Sequence, residues 1–359
     1  MASHKDPLAR AYADAIATAT EWVAVGTDTE RQRAREFVLH AFSLGAEMWA
    51  LKADPNDPRF TVWEHPWRKF GGDNPWTIYS CAPASPENTY EIRGLVGDPT
   101  YLGFQVYANQ AGFNVPTANV SLDDLKLDGS GRLELSVGRT RPPGATNWLP
   151  LTDGDELVMV REYRHDPDTQ RTSRLSLERI GTPCARSVPY DERAARAAKW
   201  SLDGVLGTME ITDLMRSSAF NAFPAADAEV RRPRYGNALY PTKDNVYEGL
   251  YVSLAAGEAL RLSGRLPAAR YCSIVFYDVW FTTPDYPRTR CYRSDRELTL
   301  DSDGCYDVVV GPTNPGVPGS DWIDTGGLRE GILAIRTLLA TERVLPDVEL
   351  VDAAAKQPA

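Results

Sequence analysis

Ser121-Leu-Asp-Asp-Leu125-Lys-Leu127-Asp128-Gly-Ser-Gly131-Arg-Leu133-Glu-Leu135-Ser-Val137-Gly138 occurs twice in this chain. Its second form, 173 residues further on, is Ser294-Asp-Arg-Glu-Leu298-Thr-Leu300-Asp301-Ser-Asp-Gly304-Cys-Tyr306-Asp-Val308-Val-Val310-Gly311. Asn147-Trp148 returns as Asp321-Trp322, and Val160-Arg161 as Ile335-Arg336, so the offset drifts only to 174 and 175. Solenoid units run about 20 to 50 residues. A period this long means a whole domain in tandem. Within the stretch, Leu133-Glu-Leu-Ser-Val137 alternates apolar and polar, the period of a half-buried strand. Asp128-Gly-Ser-Gly131 supplies the turn before it, with glycines for positive φ.

Working outward, the same pattern continues. Tyr90-Glu-Ile-Arg-Gly94 alternates, and Tyr101 to Tyr107 is a continuous strand-like run answered by Tyr271 to Tyr277. Leu157-Val-Met-Val-Arg161 is apolar on both faces until its last residue. Short strands joined by Gly/Pro-rich turns predict a sandwich or jelly roll rather than a parallel sheet. Helical spacing appears at 7–25, 29–51 and 191–219, and Pro55 and Pro58 end the second of these. The expected fold is mainly β with helices: two tandem antiparallel β-sandwich, jelly-roll-like domains related by internal duplication, each preceded by helix. The expected boundaries are 1–58 for N-terminal helices, 59–185 for the first sandwich, 186–230 for a helical connector, 231–352 for the second sandwich and 353–359 for a tail.

The chain has 359 residues, 43% hydrophobic and 25% charged, with formal net charge -10 and pI near 5.1. An acidic surface repels phosphate backbones and anionic headgroups, so neither nucleic acid nor membrane is an expected partner. Arg231, Arg232 and Arg234 read as a solvated turn. The N-terminus has no apolar signal-peptide core and no stretch is long enough to span a bilayer, which makes a soluble cytoplasmic protein the expectation. The five cysteines, Cys81, Cys184, Cys272, Cys291 and Cys305, show no CxxC spacing and read as reduced thiols.

Asn147-Trp148-Leu149-Pro150, followed by Gly154 and then Arg161-Glu-Tyr163, resembles the domain of unknown function 1214 family. There, a loop ending in Asn-Trp-Leu-Pro leads past a glycine into a strand carrying Arg-x-Tyr. The likeness covers residues 70 to 165 best. The second copy departs from it, with Asp321-Trp322-Ile-Asp324 and Arg336-Thr-Leu. The resemblance implies a mostly β, sandwich-like fold. It implies no activity and no catalytic residue.

The four histidines are scattered without HxH or HExxH spacing, so no metal site is expected. No GxSxG, SxxK, GxGxxG or P-loop is present, and no cofactor is implied. Two classes of function stay open. One is an enzyme acting on a small, partly apolar molecule in a groove between the domains. Its acid–base residues would come from Asp321, Asp278 and Asp324, with Asp321 beside Trp322. The other is a non-catalytic module that binds a ligand or partner. Either would use Trp322, Trp280, Tyr292, Arg290 and Arg293, with Asn147 and Trp148 at the edge. These aromatic and arginine side chains are types enriched at recognition surfaces. One acid in an aromatic wall suits a neutral or cationic ligand. Arg161 and Arg336 each end an apolar strand, where a guanidinium must find a partner or solvent.

Overall fold

The computed structural model describes residues 6–23, 28–52, 54–110, 112–181, 188–224, 234–235 and 239–353. Cys184, Arg231 and Arg232 lie outside the described residues. Two compact units form. Unit 1 is Met1–Phe70, Trp76–Gly207 and Arg234–Thr242; unit 2 is Gly71–Pro75, Thr208–Pro233 and Lys243–Ala359. The units do not follow chain order. Each takes in a short segment that runs up to the first long strand of the other.

Unit 1 opens with α1 (Pro7–Trp22), capped by the Asp6 carboxylate, which accepts the Leu8 amide at 2.8 Å. Helix α2 (Asp28–Ala46) continues into a π-helical turn at Glu47–Leu51. Nine strands follow: β1 (Thr61–Val62), β2 (Thr77–Pro83), β3 (Thr89–Leu95), β4 (Tyr101–Gln110), β5 (Phe113–Ser121), β6 (Arg132–Gly138), β7 (Trp148–Pro150), β8 (Asp155–Tyr163) and β9 (Arg174–Ile180). They form two sheets, ordered β1-β2-β8-β4-β5 and β7-β6-β3-β9. Helix α3 (Tyr190–Ser218) then runs from unit 1 into unit 2.

Unit 2 has β10 (Asn245–Ser253), β11 (Glu258–Arg265), β12 (Tyr271–Tyr277), β13 (Tyr292–Ser294), β14 (Cys305–Gly311), β15 (Asp321–Asp324), β16 (Glu330–Leu338) and β17 (Asp347–Asp352). Its sheets are ordered β10-β16-β12-β13 and β15-β14-β11-β17. Strand for strand, this is the order of unit 1 without β1. Pairing is antiparallel throughout except β6 with β7 and β14 with β15, which run parallel at equivalent places.

The apolar runs explain the layering. In β4, Leu102, Phe104 and Val106 point between the sheets and join Ile92, Leu133, Leu135, Val137, Val158 and Val160 in one core. In β12, Ile274 and Phe276 do the same with Leu260, Leu262, Val308, Val310, Leu333 and Ile335. Alternate residues on β4 and β8, such as Tyr101, Tyr107, Leu157 and Tyr163, are buried on the opposite face. Both faces of these strands are covered, which is why they read as unbroken apolar runs. Burying each large side chain fully stabilises the fold by about 1.5–3 kcal/mol before entropy is counted. Cys81, Cys272, Cys291 and Cys305 are thiols.

Candidate functional site

The repeated Asn/Asp-Trp pair performs one structural task in both units. Asn147 Oδ1 accepts the Lys126 amide at 2.8 Å, and its Nδ2 donates to Lys126 O and Glu134 O, both at 2.8 Å. In unit 2 the Asp321 carboxylate accepts the Thr299 amide at 2.6 Å, and Thr299 is the counterpart of Lys126. The indole of Trp148 donates to Gly138 O at 3.1 Å, and that of Trp322 donates to Gly311 O at 3.1 Å. Each pair pins a long Pro/Gly-rich loop to the end of its sheet.

Asp278 and Asp324 are also occupied. Asp278 Oδ1 accepts the Trp280 amide at 2.9 Å, the Thr282 amide at 3.2 Å and the Thr282 hydroxyl at 3.1 Å. This closes the turn after β12 and seats Trp280 in the interior at 1% exposure. Asp324 Oδ1 accepts the Gly326 amide at 2.8 Å. These are local turn bonds of the kind short acids make with their own backbone.

A different grouping gathers at the edge between β13 and β15. The register pairs Ile274 with Arg293 and Val275 with Tyr292. Ile274 belongs to the sandwich core, so Arg293 emerges on the core side of its sheet. Arg293 is only 8% exposed. Its Nη1 donates to Tyr292 O at 2.8 Å, and its Nε lies 4.0 Å from Asp321 Oδ1. No other carboxylate among the described residues comes within that distance. Burial first, and then Arg290 beside it, depress the Arg293 pKa, while Asp321 and Glu297 oppose the shift. Arg290 Nη1 in turn stands 3.7 Å from Glu297 Oε1. Burial pushes the Tyr292 hydroxyl up to about 12, so it is a neutral donor.

The equivalent position of unit 1 carries a different residue. Ser121 answers Ser294, so Val120 answers Arg293. Val120 pairs with Phe104 and packs on the core from β5, a nine-residue strand where β13 has three. A guanidinium in unit 2 thus stands where unit 1 has an apolar plug. The repeat-like sequence carries this signal, because an apolar position in one half is an arginine in the other.

The structure therefore brings Asp321, Arg290 and Arg293 together, while the Tyr292 side chain lies on the opposite face of β13, against Tyr286. Asp278 and Trp280 sit at the turn after β12 and serve that turn. Asn147 and Trp148 belong to unit 1. Elsewhere in unit 1, a cavity of about 540 Å³ is lined by Asn56 to Phe60 and Leu175 to Arg179. Its acids Asp57 and Glu178 are paired, with Arg59 at 3.3 Å and with Arg93 at 3.5 Å. No group of three or more His, Cys, Asp or Glu among the described residues is placed to hold a metal ion. No described helix is long and apolar enough to cross a membrane.

Residues 237–342 match the family model described as "Protein of unknown function (DUF1214)". The match lies in the C-terminal part, whereas the short Asn-Trp-Leu-Pro motif had placed the best likeness in the first copy. Asp321 keeps the backbone-amide contact of Asn147, Trp322 the glycine-carbonyl contact of Trp148, and Arg336 the main-chain carbonyl contact of Arg161. No curated protein matches the chain. Among solved structures, an uncharacterised protein from Burkholderia cenocepacia is 23% identical with TM-score 0.86, over 97% of this chain and 98% of that one. A protein from Vibrio parahaemolyticus is 11% identical with TM-score 0.51, over 88% of this chain and 98% of that one. At these identities the likeness is one of fold.

Proposed function

We propose that the chain is a non-catalytic binding module whose second unit holds a small, partly apolar monocarboxylate at the β13–β15 edge. The observation that carries this reading is Arg293. A guanidinium has five N–H donors, and here one bonds a backbone carbonyl while the nearest carboxylate stands off at 4.0 Å. A nearly buried cation with so few partners gains most from an incoming carboxylate, which it can grip through two parallel bonds. None of its nitrogens is cut off from solvent and unbonded. Arg290 stands beside the guanidinium, and Ile274 is the cross-strand neighbour of Arg293 on the same face, for the apolar part of the ligand.

Binding is favoured over acid–base catalysis because Asp278, Asp321 and Asp324 each spend lone pairs on backbone amides that shape turns. The identical strand order of the two units supports their descent from one duplicated domain. In this reading the first copy kept its apolar plug and the second exchanged it for a ligand anchor.

The test is a thermal-shift and calorimetric screen of aromatic and branched aliphatic carboxylates against their matched amides. Carboxylates should bind and amides should not. Arg293→Gln should abolish binding while the protein still melts cooperatively. Equal binding of acids and amides, or full binding by Arg293→Gln, would overturn the reading.

A further inference from the structure

Unit 2 also holds a dipeptide from elsewhere in the sequence as a ligand would be held. Gly72 and Asp73 belong to this unit, which grips the pair through main chain and side chain alike. Gly72 N donates to Phe281 O at 3.0 Å, and Gly72 O accepts Arg336 Nη2 at 2.6 Å. Asp73 O accepts the Tyr277 hydroxyl at 2.8 Å. The Asp73 carboxylate accepts the Thr283 amide at 2.8 Å and also the Thr283 hydroxyl. Tyr277 links the set, because its hydroxyl accepts Arg336 Nη1. Asp73 is 2% exposed.

The site selects its residues. Gly72 has φ +79°, and a Cβ there would fall 2.7 Å from the Phe281 ring and 3.0 Å from Arg336 Nη2. Phe281 is itself at φ 55°, unusual for a bulky residue, and the turn built on Asp278 holds it there. Its ring meets Tyr277 edge-on at 4.7 Å. A side chain at the first position is excluded, and a short acceptor is required at the second.

We infer that Arg336, Tyr277, Phe281 and Thr283 form a peptide-recognition site for an extended Gly-Asp sequence, filled by the chain's own Gly72-Asp73. The site takes the same sequence from a separate peptide when the internal one is disabled. The internal copy competes at an effective concentration in the millimolar range, so the wild-type chain shows little binding.

The experiment uses the full chain and a fluorescent synthetic peptide of residues 69–77, followed by anisotropy. The Asp73→Ala chain should bind it at least about tenfold more tightly than wild type. A peptide with alanine in place of Asp73 should bind neither. Equal binding to both chains, equal binding of both peptides, or no binding to a folded Asp73→Ala chain would each overturn the inference. Amide exchange in wild type and Tyr277→Phe decides the matter if Asp73→Ala does not fold. The Gly72 and Thr283 amides should be protected in wild type and exchange about tenfold faster in Tyr277→Phe. A Gly72 amide that exchanges as freely as an open coil in wild type would sink it.

Discussion

Arg161 and Arg336 stand at the same register of the two units and grip the same kind of partner. Arg161 lies between Tyr79 on β2 and Gly103 on β4, each the third residue of its strand. Arg336 lies between Tyr247 on β10 and Ser273 on β12, again third residues. Arg161 Nη2 donates to Tyr240 O, as Arg336 Nη2 donates to Gly72 O. The seventh residue of the neighbouring strand, a tyrosine in both, takes the following carbonyl: Tyr107 bonds Pro241 O at 2.7 Å, and Tyr277 bonds Asp73 O at 2.8 Å. The guanidiniums also lie over tyrosine rings, Arg161 at 5.6 Å from Tyr107 and Arg336 at 5.4 Å from Tyr277.

Arg161→Leu should therefore destabilise unit 1 by about 2–4 kcal/mol in a denaturant melt, because Gln105 and Tyr240 lose a charged donor inside the protein. Arg161 Nη1 donates to Gln105 Oε1 at 2.6 Å, and the arginine is 2% exposed. Tyr107→Phe removes a single hydroxyl and should cost about 1 kcal/mol. An Arg161→Leu chain as stable as wild type would mean that solvent reaches the site.

The loop pins predict an asymmetry between the copies. Asn147 uses its amide nitrogen to donate twice, at 5% exposure, and a carboxylate cannot do so. Asn147→Asp should cost about 2–4 kcal/mol, since it sets a charge against two carbonyls. Asp321 accepts only, so Asp321→Asn should cost less than about 1 kcal/mol. Urea melts of the two variants would check this. Equal losses would show that the two bonds donated by Asn147 do not set the copies apart.

The strands were legible because burial on one or two faces writes itself into the side-chain period, as in Leu133 to Val137 and Tyr101 to Tyr107. The arginines were legible as a problem, since a charge closing an apolar strand needs a partner. Their partners were not, because Tyr240 and Gly72 offer main-chain carbonyls, and a carbonyl has no signature in sequence. The parallel pairings of β7 and β15 were hidden for a related reason: three or four residues are too few to show a period. Asp278, Asp321 and Asp324 drew notice as acids. Only the folded chain shows that their oxygens are spent on amides two to four residues away or, for Asp321, on Thr299.

The indole bonds should be equivalent in the two units. Trp148→Phe and Trp322→Phe each take the indole donor from a glycine carbonyl, which keeps the Leu151 amide in unit 1 and the Thr325 amide in unit 2, and retain most of the ring. Each should lower stability by about 0.5–1.5 kcal/mol. Calorimetry on both variants would test this. A large loss in one and none in the other would separate the two loops in function.

Glu162 gives a pH prediction. It is 4% exposed, and burial raises its pKa, against the Ser173 and Arg164 groups that lower it. Both carboxylate oxygens accept the Ser173 amide, at 3.2 and 3.1 Å. A carboxyl whose folded pKa is above its unfolded one binds its proton more tightly when folded. Below the unfolded value both states are protonated and no cost arises. As pH rises from the unfolded value to the folded one, the unfolded chain ionises first and stability falls. Above the folded value the loss stays constant. Glu162→Gln removes the charge and keeps an acceptor for Ser173, so it should melt higher than wild type at pH 7. The advantage should shrink through the acidic range and vanish below the ordinary glutamate value of about 4.3. Parallel melts of the two proteins from pH 3.5 to pH 7 would measure it. A Gln variant less stable than wild type at pH 7, with the gap closing in acid, would show instead that the ionised carboxylate stabilises the fold through Ser173.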